Sequence, residues 1–206
     1  MTTPEPLIEP VKLSELRPTQ ITVGFREVQE KRRQWREHLA NDGSQFLGRH
    51  MIPVVIGPKG RCYVIDHHHL ARALLDEGVE NVLVDPLADL SALSKDAFWV
   101  YIDHRNWCFP YDPGGKRLDF DEIPKSVGDM QDDPWRSLAG ELRRAGGFAK
   151  DPTPFAEFLW ADFLRRRIRA RLLDRDFPAA LTQALTLARG KDARYLPGWC
   201  GPDPIG

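Results

Sequence analysis

The spacing of apolar positions changes along the chain, and each change marks an element. From Phe25 to Leu39 the spacing is helical, with Val28, Trp35 and Leu39 on one face and Glu27, Lys31, Arg32 and Glu37 among the polar positions. An amphipathic helix ended by Asn41-Asp42-Gly43 is predicted. Ile52-Pro53-Val54-Val55-Ile56 and Cys62-Tyr63-Val64-Ile65 are instead β-rich runs around Gly57-Pro58-Lys59-Gly60, the pattern of a hairpin. The helical period returns from His67 to Glu77, where Leu70, Ala71, Leu74 and Leu75 share a face. Asp66 is its natural N-cap, and Gly78 stands at the C′ position. Asn81-Val82-Leu83-Val84 supplies a further strand, so strand, helix and strand can join one small sheet.

Outside this block the pattern is sparser. Residues 1–10 hold three prolines and read as an extended lead, followed by Val11, Leu13 and Leu16 in a short strand or turn ending at Arg17-Pro18. One or two helices are expected between Ser94 and Arg105, and Phe109 to Gly115 reads as a turn-rich connection. From Asp133 onward the chain reads as helices over Trp135–Ala145, Pro154–Arg175 and Pro178–Arg189, punctuated by Gly146-Gly147 and Asp176-Phe177-Pro178. The fold expected is α+β: a small mixed sheet with helices over residues 7–110, then a mostly helical C-terminal region over 125–200.

Composition narrows the setting. With 42% hydrophobic residues in a chain of 206, a core can be buried without staples. Cys62, Cys108 and Cys200 are widely spaced and form no CxxC, which argues against a disulfide framework and a thiolate zinc site, and a reducing cytoplasm fits. Met1 to Pro6 lacks the basic start and apolar stretch of a signal peptide, and no run nears the roughly 20 apolar residues of a membrane span. A soluble, cytoplasmic protein with no membrane partner is expected. A net charge of -1 exerts no global pull on nucleic acid, so any such role is local.

The densest candidate chemistry is at Val64-Ile65-Asp66-His67-His68-His69, where a strand runs into a helix. First-turn amides and the helix dipole favour anions, and histidines add donors that become cationic beside a phosphate. Successive helical residues point about 100° apart, so at most two of the three imidazoles can face one ligand, and His68 and His69 are the functional candidates. First-turn histidines can also cap, pack or face solvent. Glu27 and Lys31, four apart on the first helix, form either a surface pair or an active-site pair.

These residues carry a resemblance. Leu16-Arg17-Pro18-Thr19-Gln20, Gly24-Phe25-Arg26-Glu27-Val28, the Pro-Val-Val-Ile strand and Tyr63 to Ala73 resemble the ParB-like nuclease superfamily, whose fold is shared with sulfiredoxin. Trp135 to Gly140, Phe158 to Phe163 and Leu196-Pro197-Gly198 extend the likeness to its ParB-like nuclease branch, over nearly the whole chain. The resemblance implies nucleotide phosphates (CTP in partition proteins, ATP in sulfiredoxin, ADP in free-serine kinases) at the strand-to-helix turn. On this chain that turn is Asp66, His67, His68, His69 and Arg72, with Lys31 neutralising phosphate. It further implies a nucleotide cofactor (ATP, ADP or CTP) with Mg²⁺, and Glu27, His68 and His69 as catalytic candidates, Glu27 as base by likeness to the kinases. Gln20 is a further polar contact. Histidines replace the partition-protein arginines, which weakens CTP clamping, and the sulfiredoxin cysteine is missing, which argues against peroxiredoxin repair.

Three other features enter. Arg165-Arg166-Arg167-Ile168-Arg169 follows Phe158, Trp160 and Phe163, and at helical spacing Arg165, Arg166 and Arg169 form either a phosphate-tracking face for nucleic acid or a solvated one. Asp66-His67-His68 spells the signature of the DHH phosphodiesterases, yet their early Asp-x-Asp is missing, Asp42 being the lone aspartate before Asp66. Two of the histidines with Asp103 or His104 match no established metal-ligand spacing, so no metal site is assigned. Three function classes stay open: a phosphoester hydrolase or nuclease, a nucleotide-dependent small-molecule kinase, and a nucleotide- or DNA-binding module without catalysis.

Overall fold

The structure, a computed structural model, describes residues 7–42 and 51–202. Gly43, part of the expected helix stop, lies outside them. The chain divides into two compact units, Met1–Asp132 and Asp133–Gly206.

The first unit is built on a mixed five-stranded sheet. Its strands are β1 (Leu7–Lys12), β2 (Arg17–Pro18), β4 (Ile52–Gly57), β5 (Arg61–Val64) and β6 (Asn81–Asp89), in the order β1-β6-β4-β5-β2. β4 and β5 form the expected antiparallel hairpin, with Val54 opposite Val64 and Ile56 opposite Cys62. Parallel pairing of β4 with β6 and of β2 with β5 makes the sheet mixed. A separate two-residue parallel ladder joins β3 (Thr22–Val23) to β7 (Gln131–Asp132).

Side chains alternate across a strand, so the central strands β4, β5 and β6 feed two cores. Ile52, Val54, Val64, Val82 and Val84 point to one face. There they meet Val28 and Trp35 of α1 (Phe25–Asp42) and Leu70, Ala71 and Leu74 of α2 (His68–Asp76). Val55, Tyr63 and Ile65 point to the other, beneath Phe98, Trp99 and Ile102 of α3 (Lys95–His104). Leu39, expected on the buried stripe of α1, is instead 52% exposed. It lies about 6 Å beyond Trp35 along the axis, where the helix has outrun the core.

α2 ends as its sequence suggested. Gly78 takes φ +75°, its N–H reaches the Leu75 carbonyl and that of Val79 the Leu74 carbonyl, the paired bonds of a Schellman stop. The start differs from expectation. The N-cap is His67, in the left-handed conformation (φ 62°, ψ 27°), while the Asp66 carboxylate accepts the N–H of His67 at 2.6 Å. By satisfying its immediate neighbour, Asp66 forgoes the reach to the second or third helical amide that capping requires.

The second unit is helical: α4 (Pro134–Arg144), α5 (Ala156–Arg165), α6 (Ala170–Arg175) and α7 (Phe177–Arg189) around Leu138, Leu142, Trp160, Phe163 and Leu164. Asp133 caps α4 through the N–H groups of Trp135 and Arg136, and Asp176 caps α7 through that of Ala179. The expected single helix from Pro154 to Arg175 is broken at 166–169. A continuous helix would stack Arg165 on Arg169 and Arg167 on Arg171, like charges one turn apart. In the break, Ile168 is buried and its carbonyl accepts the Trp135 indole N–H at 3.4 Å. No helix of the described residues is long and apolar enough to cross a membrane.

Candidate functional site

The histidine run follows β5 and opens α2, and its three members do different things. His68 is buried, and its Nε2 accepts the N–H of Thr19 at 3.2 Å. Thr19 is fully buried, and its hydroxyl donates to the Val64 carbonyl at 2.7 Å. His69 Nε2 accepts the N–H of Gly24 at 3.0 Å. A ring nitrogen that accepts from a backbone amide carries no proton, so these bonds put the proton of each neutral ring on Nδ1. The two imidazoles expected to turn cationic beside a phosphate are thus engaged through Nε2 with the segment between β2 and α1. His67 is the one that faces solvent.

Gly24 is the residue before α1, and its carbonyl accepts the first intrahelical bond, from Val28. The His69 contact therefore joins the N-terminus of α2 to that of α1. A second tether comes from β7, whose Asp132 carboxylate accepts the N–H of Phe25 at 2.7 Å. Arg72 completes the junction. Its guanidinium lies 5.0 Å from the centre of the Phe25 ring, with Nε donating to Asp76 at 2.9 Å and Nη1 to the Met130 carbonyl at 3.0 Å. It is tied to three partners around the junction rather than held out on an open arm.

Glu27, half-buried, lies in the first turn of α1, and Lys31 one turn further on donates to Gln34 at 3.2 Å. Gln20 is buried and bridges to Phe109 through its backbone. Asp103 is engaged by Arg117 at 2.7 Å and by the Cys108 thiol at 3.5 Å. Burial and the Asp103 charge push that thiol up to about 12, leaving it inert. Among the described residues no group of three or more His, Cys, Asp or Glu side chains is placed to hold a metal ion.

The arginine run does not form one basic face. Arg165 is held by the carboxylates of Asp133 and Asp162, and Arg167 lies 3.9 Å from the Phe163 ring centre. Arg166 and Arg169 are exposed, in the break between α5 and α6.

Thr19, Gly24, Met130 and Asp132 were not singled out from sequence. Thr19 and Gly24 had a signal, since both sit in segments that carry the family likeness. Asp132 had none, because its partner lies 107 positions away.

A family model described as "Putative ParB-like nuclease" matches residues 9–166. A crystal structure of protein Atu1540 from Agrobacterium tumefaciens is similar over 97% of this chain and 99% of its own, at 54% identity and a TM-score of 0.90. No curated protein matches. With most of the α+β unit, including its strand-to-helix turn, inside the matched span, the chain belongs to the ParB-like nuclease family.

Proposed function

We propose that the chain binds a phosphate group, carried by a nucleotide or by nucleic acid, where the N-termini of α1 and α2 meet, and that it hydrolyses phosphoesters there. The observation that carries this reading is the 3.0 Å bond from Gly24 N–H to His69 Nε2, which brings two helix starts together. Each start bears roughly half a positive charge, and first-turn amides lack intrahelical partners. The carboxylates of Asp132 and Asp66 are seated on the N–H groups of Phe25 and His67, so a phosphate binds through the further first-turn amides or displaces these carboxylates.

In this reading His67 touches the phosphate and Arg72 adds charge from α2, with Lys31 one turn along α1. His68 and His69 hold the β2–α1 segment in place as positioning residues. Glu27 is the general base. A Mg²⁺ ion held by the phosphates of a bound nucleotide would supply charge neutralisation. A second reading, nucleotide-dependent phosphotransfer to a small hydroxylated molecule, is favoured by the place of Glu27 in the first turn of α1.

Calorimetry with ATP, ADP and CTP tests the binding. Heat that is lost or weakened about tenfold in His67→Ala is expected. Absence of binding, or equal binding by the variant, refutes the site. Cleavage of single-stranded or supercoiled DNA with Mg²⁺ or Mn²⁺ separates the readings: intact DNA removes the hydrolase, and nucleotide consumption that depends on Glu27 and a hydroxylated acceptor supports the transferase.

A further inference from the structure

A cleft of about 100 Å³ opens on the α3 face of the sheet, the face opposite α1 and α2. It sits beside the edge strand. The register Arg17 to Tyr63 and the two-residue spacing of Arg61 and Tyr63 put all three side chains on this face. Arg17 and Arg61 make no ion pair among the described residues. Lys95, at the start of α3, is paired with Asp121, and Lys125 acts on the same carboxylate at longer range. Four cations against one carboxylate leave an excess of three positive charges around one cleft, in a chain whose net charge is -1. Like charges gathered around a concave surface raise the local concentration of anions.

The floor is aromatic. Phe120 stacks on Trp99 with centroids 5.7 Å apart and planes 10° from parallel, and Tyr63 meets Trp99 edge-on at 5.7 Å. Trp99 is 7% exposed and held in the core by Phe98, while Phe120 is half-buried, with the Arg117 guanidinium 5.4 Å from its ring centre. A cationic rim around apolar rings suits a ligand with one charged and one planar end.

We infer that this cleft is a second binding site, for a phosphate attached to a planar base, with Arg17, Arg61 and Lys125 on the phosphate and the half-buried Phe120 ring, backed by Trp99, against the base. The inference is independent of the α1–α2 junction, which lies toward the other core. The base and its phosphate can come from a free mononucleotide or from the end of a single strand.

Nuclear magnetic resonance on the full chain tests it, using thymidine 5′-monophosphate, a short 5′-phosphorylated oligothymidylate and inorganic pyrophosphate at low salt. Both nucleotide probes are expected to shift the Trp99 indole and Arg61 amide signals, and affinity should fall about tenfold in Arg61→Ala and in Lys125→Ala. Both residues are exposed, so the variants fold, and Arg17→Ala adds a third arm. Tighter binding of the oligonucleotide assigns the strand as source, and equal binding the free nucleotide; either supports the site. Shifts confined to His67–Leu70, no shift at all, or binding untouched by the Arg61 and Lys125 changes overturn it. So does pyrophosphate binding as tightly as the nucleotides, since the aromatic floor would then contribute nothing.

Discussion

Replacing His68 tests whether the imidazole at the start of α2 is a structural acceptor. Its Nε2 is the partner of the Thr19 N–H at 3.2 Å, and Thr19 has no solvent access. His68→Phe keeps most of the volume and deletes the acceptor, leaving a buried amide unpaired at a cost of about 2 kcal/mol, within the 1–3 kcal/mol range for such groups. His68→Ala adds a cavity and should cost about 3–4 kcal/mol. His68→Gln offers an amide oxygen at similar reach and should restore about half of the loss. Urea unfolding of the three variants measures these differences, and hydrogen exchange of the Thr19 amide locates them. If His68→Phe is as stable as the parent and the Thr19 amide keeps its protection, the hydrogen-bond argument is wrong and the ring is only packing.

Other consequences follow from the same geometry. His67→Gly releases a side chain from φ 62° and should leave stability unchanged or raise it by up to about 1 kcal/mol in thermal melting, while weakening phosphate binding. Asp132→Ala removes the acceptor on the first amide of α1 and should cost about 1 kcal/mol, read by the same melts. In the second unit Glu157 bonds to Arg143 at 2.8 Å and to the buried Arg136 at 3.2 Å. Burial opposes its charge, but the two guanidinium groups outweigh burial and hold it below the usual carboxylate value. A lowered folded pKa means stability present above the unfolded value, about 4.3, and lost as pH falls through the folded one. Glu157→Gln should cost about 2 kcal/mol at neutral pH and flatten the acid limb of the melting curve, whereas an unchanged acid limb would show that Glu157 does not report on folding.

Much of the sheet unit was legible because its signals are local. Period-two alternation around Gly57-Pro58-Lys59-Gly60 encodes the hairpin, and Gly78 encodes the end of α2, since only nearby residues decide either. The partners of the histidines were not legible. Thr19 and His68 are 49 positions apart, and Gly24 and His69 are 45 apart, so only tertiary packing reveals that two rings are spent on backbone amides. The break after Arg165 was missed for a related reason. Helical spacing alone ignores repulsion among clustered arginines and the competing claim of the Trp135 indole on the Ile168 carbonyl.

The most direct measurement is a crystal structure of the full chain grown with a nucleotide. A phosphate seated against the first-turn amides of α1 and α2, within hydrogen-bond reach of His67, is the expected result. Nucleotide density found only over the Trp99 floor, with the α1–α2 junction free of phosphate, would contradict the assignment of the junction as the phosphate site.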